Sequence, residues 1–164
     1  APRYLFSWLA IRSGNFEKAQ EIYYDKLFGA VIDNFKLKHS SKLPKGGILF
    51  SILGFSPEPI ILTARTIEPD THIIFTTNNQ SEGNDYLVKY LESNYEMVYL
   101  SDENFNTMYK ALKEQLVLNP SSQITLDITG GKKSMVASAA IFGKDYGCKI
   151  VYVDFVFEQG AKSV

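Results

Sequence analysis

The chain is predicted to be an α/β protein, a mainly parallel sheet of five or six strands flanked by helices and preceded by an extra N-terminal helix. Two observations predict it. From Gly46 onward, short apolar runs alternate with helix-like stretches, the pattern of strands joined by helical crossovers. Such runs, joined by right-handed crossovers, predict a parallel sheet. Two of them empty through glycine-bearing turns, Gly54-Phe55-Ser56-Pro57 and Thr129-Gly130-Gly131-Lys132, directly into helix starts.

The elements follow in order. Residues 1 to 12 hold Tyr4, Leu5, Phe6, Trp8, Leu9 and Ile11, apolar without a polar face, short of the roughly 18 to 20 residues of a membrane span. Ser13, Gly14 and Asn15 can cap a helix from Phe16 to Val31, with Phe16, Ala19, Tyr23, Leu27 and Ala30 on one stripe. Ile22, Tyr24 and Phe28 widen the apolar surface beyond that stripe, so the helix is expected to pack on two sides, with a second copy of the chain as one cover. Lys36 to Lys45 is basic and turn-rich and reads as a linker. The organisation is thus an N-terminal helical segment and linker, 1–45, and an α/β ligand-binding domain, 46–164.

Strands are expected at Ile48 to Leu53, His72 to Thr77, Glu96 to Leu100, Gln123 to Ile128 and Lys149 to Phe157. Helices are expected at Pro57 to Ile67, Asn84 to Ser93, Asn104 to Leu118 and Lys132 to Tyr146. The third carries Phe105, Met108, Tyr109, Leu112 and Leu116 on one face. The last carries Ala137, Ser138, Ala139 and Ala140, small enough for close approach to the sheet. No internal repeat is visible.

Composition narrows the function. The chain has 164 residues, 45% apolar and 21% charged, with a formal net charge of -1. This is the composition of a soluble globular domain, with no global attraction for DNA or RNA, so a nucleotide ligand must be held by a local site. Cys148 is the one cysteine, which excludes an internal disulfide and reads as a small core residue in a reducing compartment. His39 and His72 lack partners at metal-ligand spacing, so neither a metal nor a cofactor is expected. With no signal peptide, the chain as it stands is expected to be cytoplasmic.

The chemistry concentrates in Asp127 to Met135, D-I-T-G-G-K-K-S-M. A strand opening through two glycines into a helix start leaves backbone N–H groups pointing at one place beside the positive end of the helix dipole. Thr129 adds a hydroxyl, Lys132 and Lys133 add charge, and the glycines allow an anion close to the backbone. The plainer reading is a capped helix start with no ligand, and for Gly54 to Pro57 a tight strand-to-helix turn. In doubly wound sheets ligands bind where strand order reverses. If the first and fourth strands are neighbours, the two loops face each other across that crevice, with Thr76, Thr77, Asn78 and Asn79 as its side wall. Phe55 stands where a base could stack.

Other nucleotide signatures are missing. A phosphate-binding P-loop needs glycine at 126 and Ser or Thr at 133, where Leu126 and Lys133 stand. The dinucleotide pattern G-x-G-x-x-G is also missing. Asp127 and Asp154 end strands but are not placed as an acid/base pair, and salt bridging or capping is the expected role of each.

The stretch from Gly46 to about Phe157 resembles the CRISPR-associated Rossmann fold (CARF) domains of type III CRISPR antiviral defence. Three matches carry the resemblance: a strand with G-F-S-P, a strand with T-T-N-N, and a strand with D-I-T-G-G-K-K-S-M leading to a helix and K-I-V-Y-V-D-F. In the third, Thr129, Gly130, Gly131, Lys133 and Met135 match the family pattern T-G-G-T-K-x-M, and Lys132 replaces the commoner threonine. The resemblance implies a Rossmann-like fold and a homodimer binding one cyclic oligoadenylate, commonly cyclic tetra-adenylate, across its two-fold axis. It implies Thr129, Gly130, Gly131, Lys132 and Lys133 at phosphate and ribose, and Gly54, Phe55, Ser56 and Pro57 at adenine, with Thr77, Asn78 and Met135 completing the ligand-binding set.

Family members usually begin at the first strand and carry an effector domain after the sheet. Here the extra element precedes the sheet, which resembles a CARF membrane effector whose N-terminal transmembrane helix is the output, with the sensor facing the cytoplasm. No catalytic set is evident, so a sensor is expected before an enzyme. The alternative is a metal-independent ring nuclease in which a ribose 2′-hydroxyl attacks the adjacent phosphate and Lys132 or Lys133 stabilises the developing charge. A CARF-type transcription regulator would need a helix-turn-helix, and none is visible.

Overall fold

The computed structural model describes residues 14–77, 81–121, 123–154, 156–158 and 161–163. Asn78, Asn79 and the apolar segment 1–12 lie outside the described residues.

The chain opens with α1 (Phe16–Ile22), whose first turn is capped by Asn15 Oδ1 accepting from Lys18 N, as the Ser-Gly-Asn signal predicts. A π-helical turn (Tyr23–Leu27) follows, then α2 (Phe28–His39). The helical run therefore continues past Val31 to His39 and takes in part of the stretch read as linker. The π-turn inserts extra residues and rotates the apolar stripe. Ala19, Tyr24, Leu27, Phe28, Ile32 and Phe35 are buried, whereas Ala30, predicted on the inner stripe, is exposed.

After a turn come β1 (Ile48–Ile52), α3 (Glu58–Ile67), β2 (Thr71–Thr76), α4 (Ser81–Tyr90), β3 (Glu96–Tyr99), α5 (Phe105–Leu118), β4 (Ile124–Asp127), α6 (Lys133–Tyr146) and β5 (Lys149–Val151). The five strands form one sheet in the order β3-β2-β1-β4-β5, and every pair is parallel. This is the predicted α/β class, with five strands. The last predicted strand divides: after β5 the ladder ends, and β6 (Val156–Glu158) pairs antiparallel with β7 (Ala161–Ser163) in a separate hairpin. At the break Val153 N donates to Thr129 Oγ1 at 2.8 Å, so the chain leaves the ladder to bond a loop.

Alternation along the strands splits the core. Phe50, Ile52, Ile73, Phe75, Ile124 and Leu126 face α5 and α6, packing on Met108, Leu112, Ala139 and Phe142. Leu49, Leu53 and Ile74 face the other way, towards Ile60, Ile61, Leu62 and Ile67 of α3. The N-terminal helices lie beyond α3, so α3 is covered on two sides and every residue in it except Arg65 is buried. Tyr24 and Phe28 pack against Tyr86 and Tyr90 of α4, with Tyr24 stacked on Tyr86 at 3.9 Å between ring centroids. Of the wider apolar surface for which a second copy is expected as cover, Tyr24 and Phe28 are buried within the chain and Ile22 is half-buried.

Candidate functional site

The order β2-β1-β4 makes the β1/β4 pair the place where the connections reverse, with Ser51 opposite Asp127 as the last registered partners. Since all strands run one way, the loops after β2, β1 and β4 emerge side by side on one edge of the sheet. The two predicted loops do face each other, and more closely than a ligand crevice alone requires. A Cβ on Gly54 would lie 2.4 Å from Gly131 N, and one on Gly130 would lie 2.5 Å from Ile52 O. Gly131 has φ +96° and a Cβ there would lie 2.3 Å from Ile52 Cγ2. These glycines are required first by the contact of loop with loop.

Phe55 projects from this edge, 94% exposed, while Pro57 is buried and Ser56 half-buried. Ser56, one residue before Pro57, the N-cap of α3, accepts through Oγ from Glu58 N at 3.3 Å. Thr76 is buried and Thr77 half-buried at the end of β2. Lys132 and Lys133 are exposed at the start of α6. Met135 is 2% exposed and packs in the core with the sheet residues, supporting the loop from below.

The start of α6 breaks the usual capping rule. Its N-cap is Lys132, which makes no side-chain cap hydrogen bond, and its first turn holds no acidic residue. Two lysines thus sit at the positive end of a fourteen-residue helix, where an acid or a Ser, Thr, Asn or Asp cap is favoured. A bound anion would satisfy both the amides and the lysines.

Asp127 anchors the loop underneath. It is 1% exposed, accepts from Thr129 N at 3.0 Å and from Thr63 Oγ1 of α3 at 2.8 Å, and makes no ion pair among the described residues. Neither expected role describes Asp127: it caps no helix and instead closes the turn at Thr129 and ties that turn to α3. Burial raises its pKa, against the opposing hydrogen bonds of Thr129 and Thr63. A buried Ser51 to His72 hydrogen bond of 2.9 Å lies on the same face of the sheet. Burial lowers the His72 pKa to about 4.

Sequence reasoning missed Thr63, Glu58 and the tyrosines of the π-turn. Glu58 is 3% exposed and accepts from the Tyr23 hydroxyl at 2.6 Å. The signals were weak: a charged residue right after Pro57, and two adjacent tyrosines on an apolar helix. No group of three or more His, Cys, Asp or Glu side chains suited to a metal occurs among the described residues. No described helix is long and apolar enough to cross a membrane.

The fold and the loop pair define a Rossmann-like α/β domain with its candidate site at the strand-order switch. No family model matches this chain, and no curated protein does. Solved structures do. One is Can2 from Sulfobacillus thermosulfidooxidans in complex with cyclic tetra-adenylate, at 17% identity and TM-score 0.59, covering 71% of this chain and 36% of Can2. Another is Enterococcus italicus Csm6 bound to cyclic hexa-2′-fluoro-hexa-dAMP, at 18% identity and TM-score 0.51, covering 68% of this chain and 34% of Csm6. Both are CARF-domain proteins of type III CRISPR systems, the family the motifs resemble, and the likeness is one of fold. The chain spans about a third of the length of either protein.

Proposed function

We propose that this chain is a CARF-type sensor domain that binds a cyclic oligoadenylate, cyclic tetra-adenylate foremost, at a homodimer interface and relays occupancy to an N-terminal output element, a transmembrane one in the parent protein. The observation that carries the reading is the uncapped start of α6. Lys132 and Lys133 stand there beside the amides of Gly130 and Gly131, packed against the loop that presents Phe55. The amides and lysines suit phosphate, Phe55 offers a stacking face for adenine, and Thr129, Ser56 and Thr77 offer polar contacts from the neighbouring loops. The fold shared with proteins solved with cyclic oligonucleotides supports the choice of ligand. A ring with a two-fold axis suits a receptor made of two identical chains.

Calorimetric titration with cyclic tri-, tetra- and hexa-adenylate, with the ligand recovered afterwards, tests the reading. Expected is tight binding of one ring per two chains, with the ring intact. Replacing Lys132 or Lys133 by alanine should weaken binding about tenfold or more each, the size of a lost charge-assisted contact. Recovery of linear products would move the assignment to a ring nuclease acting through ribose 2′-hydroxyl attack, and no binding of any ring would sink the family reading.

A further inference from the structure

We infer that Tyr23 and Glu58 are positioning residues of the candidate site, tying the Gly54 to Pro57 loop to the π-turn of the N-terminal helix so that occupancy of the loop is felt in that helix. The inference rests on the sensor reading for its ligand and on geometry for its path. The Tyr23 hydroxyl donates to Glu58 Oε1 at 2.6 Å, across 35 residues of sequence. Glu58 follows Pro57 directly, and its own amide donates to Ser56 Oγ. Tyr24, the residue after Tyr23, is buried in the core. Both tyrosines belong to the π-helical turn. The helix start after the candidate loop is therefore held by a residue of one irregular turn.

That turn is suited to respond. A π-turn carries looser backbone hydrogen bonding than the α-helices on either side and can revert to α-helical phase by a small shift, which rotates everything on its N-terminal side. The turn and the helix after it are tied to α4: the Tyr90 hydroxyl donates to the Tyr24 carbonyl, and Phe28 meets the Tyr90 ring edge to face at 5.1 Å. Movement of Glu58 is thus passed through Tyr23 to α1, where Ala19 is the one buried residue among those whose side chains are described.

The test uses the whole chain, with Tyr23→Phe removing the hydroxyl and Glu58→Gln keeping an acceptor oxygen. Amide hydrogen exchange is followed with and without saturating cyclic tetra-adenylate. In the ligand-free protein, Tyr23→Phe should speed exchange in 58–61 about fivefold, as one lost hydrogen bond predicts, with the sheet unchanged and Glu58→Gln near wild type. The ring should slow exchange in both 54–61 and 19–28 of the wild type, and only in 54–61 of Tyr23→Phe. Unchanged exchange in 58–61 of ligand-free Tyr23→Phe, or equal ligand protection of 19–28 in that variant, would overturn the inference. If no ring binds the wild type, the sensor reading fails and the ligand-free comparison alone decides whether Tyr23 positions the loop.

Discussion

At Asp127 a single buried carboxylate holds together three elements of the candidate site: its own strand, the Thr129 turn and Thr63 of α3. Removing it leaves the Thr129 amide without its acceptor, whereas asparagine keeps one. Asp127→Ala should therefore lose about 1–3 kcal/mol in urea unfolding, and Asp127→Asn much less. The raised pKa fixes the sign of the pH effect: its contribution is full below the ordinary carboxylate value and lost as pH rises through the folded value. His72 runs the other way. With a folded value of about 4, its contribution is full above about 6.5 and declines as pH falls towards 4, by about 1.4 kcal/mol per unit and on the order of 3 kcal/mol in all. Urea midpoints between pH 7.5 and 4.5 should fall more steeply in the wild type than in His72→Gln.

At the scale of elements, α6 forgoes the stability of a side-chain cap and of an acid in its first turn, as the proposed anion site would require. Lys132→Asp supplies the missing cap and favourable charge, and should raise stability by about 1 kcal/mol, or about 2–4 °C in thermal unfolding, while abolishing ring binding. Lys132→Ala should weaken binding without that gain. A variant that gains neither stability nor loses affinity would show that the helix start is not the anion site. The contact between loops predicts a second effect. Gly54→Ala must displace the Gly131 backbone, costing about 1–3 kcal/mol by overpacking and weakening binding with it.

For the whole molecule, the expected assembly is two chains around one ring. Sedimentation of the chain with cyclic tetra-adenylate at half-molar ratio should give a single species of twice the chain mass, and a hundredfold excess over Kd should add about 2.7 kcal/mol to unfolding. A species of one chain per ring would remove the two-fold site while leaving the anion cradle in place.

Much of this was legible along the chain, because local signals carried it. The alternation of apolar runs and helices specified the α/β class, and caps and glycines placed the starts of α3, α5 and α6 within a residue. The α4 start was missed by three residues, since Ser81 to Asn84 has no apolar periodicity. Thr129 to Lys133 stood out since two glycines and two lysines gather at one helix start, although the sequence could not show that the glycines are also required by contact with Ile52 and Gly54. What the sequence determined by itself was therefore the order and type of the elements and the chemistry of the two loops, since these depend on neighbours within about one turn of helix or one strand. Only the tertiary structure decided that β1 lies beside β4, that Gly54 and Gly131 touch, that Asp127 is roofed by Thr63, and that Tyr23 reaches Glu58. Such contacts join residues 35 to 77 positions apart, and strand order, a property of the whole sheet, selects them.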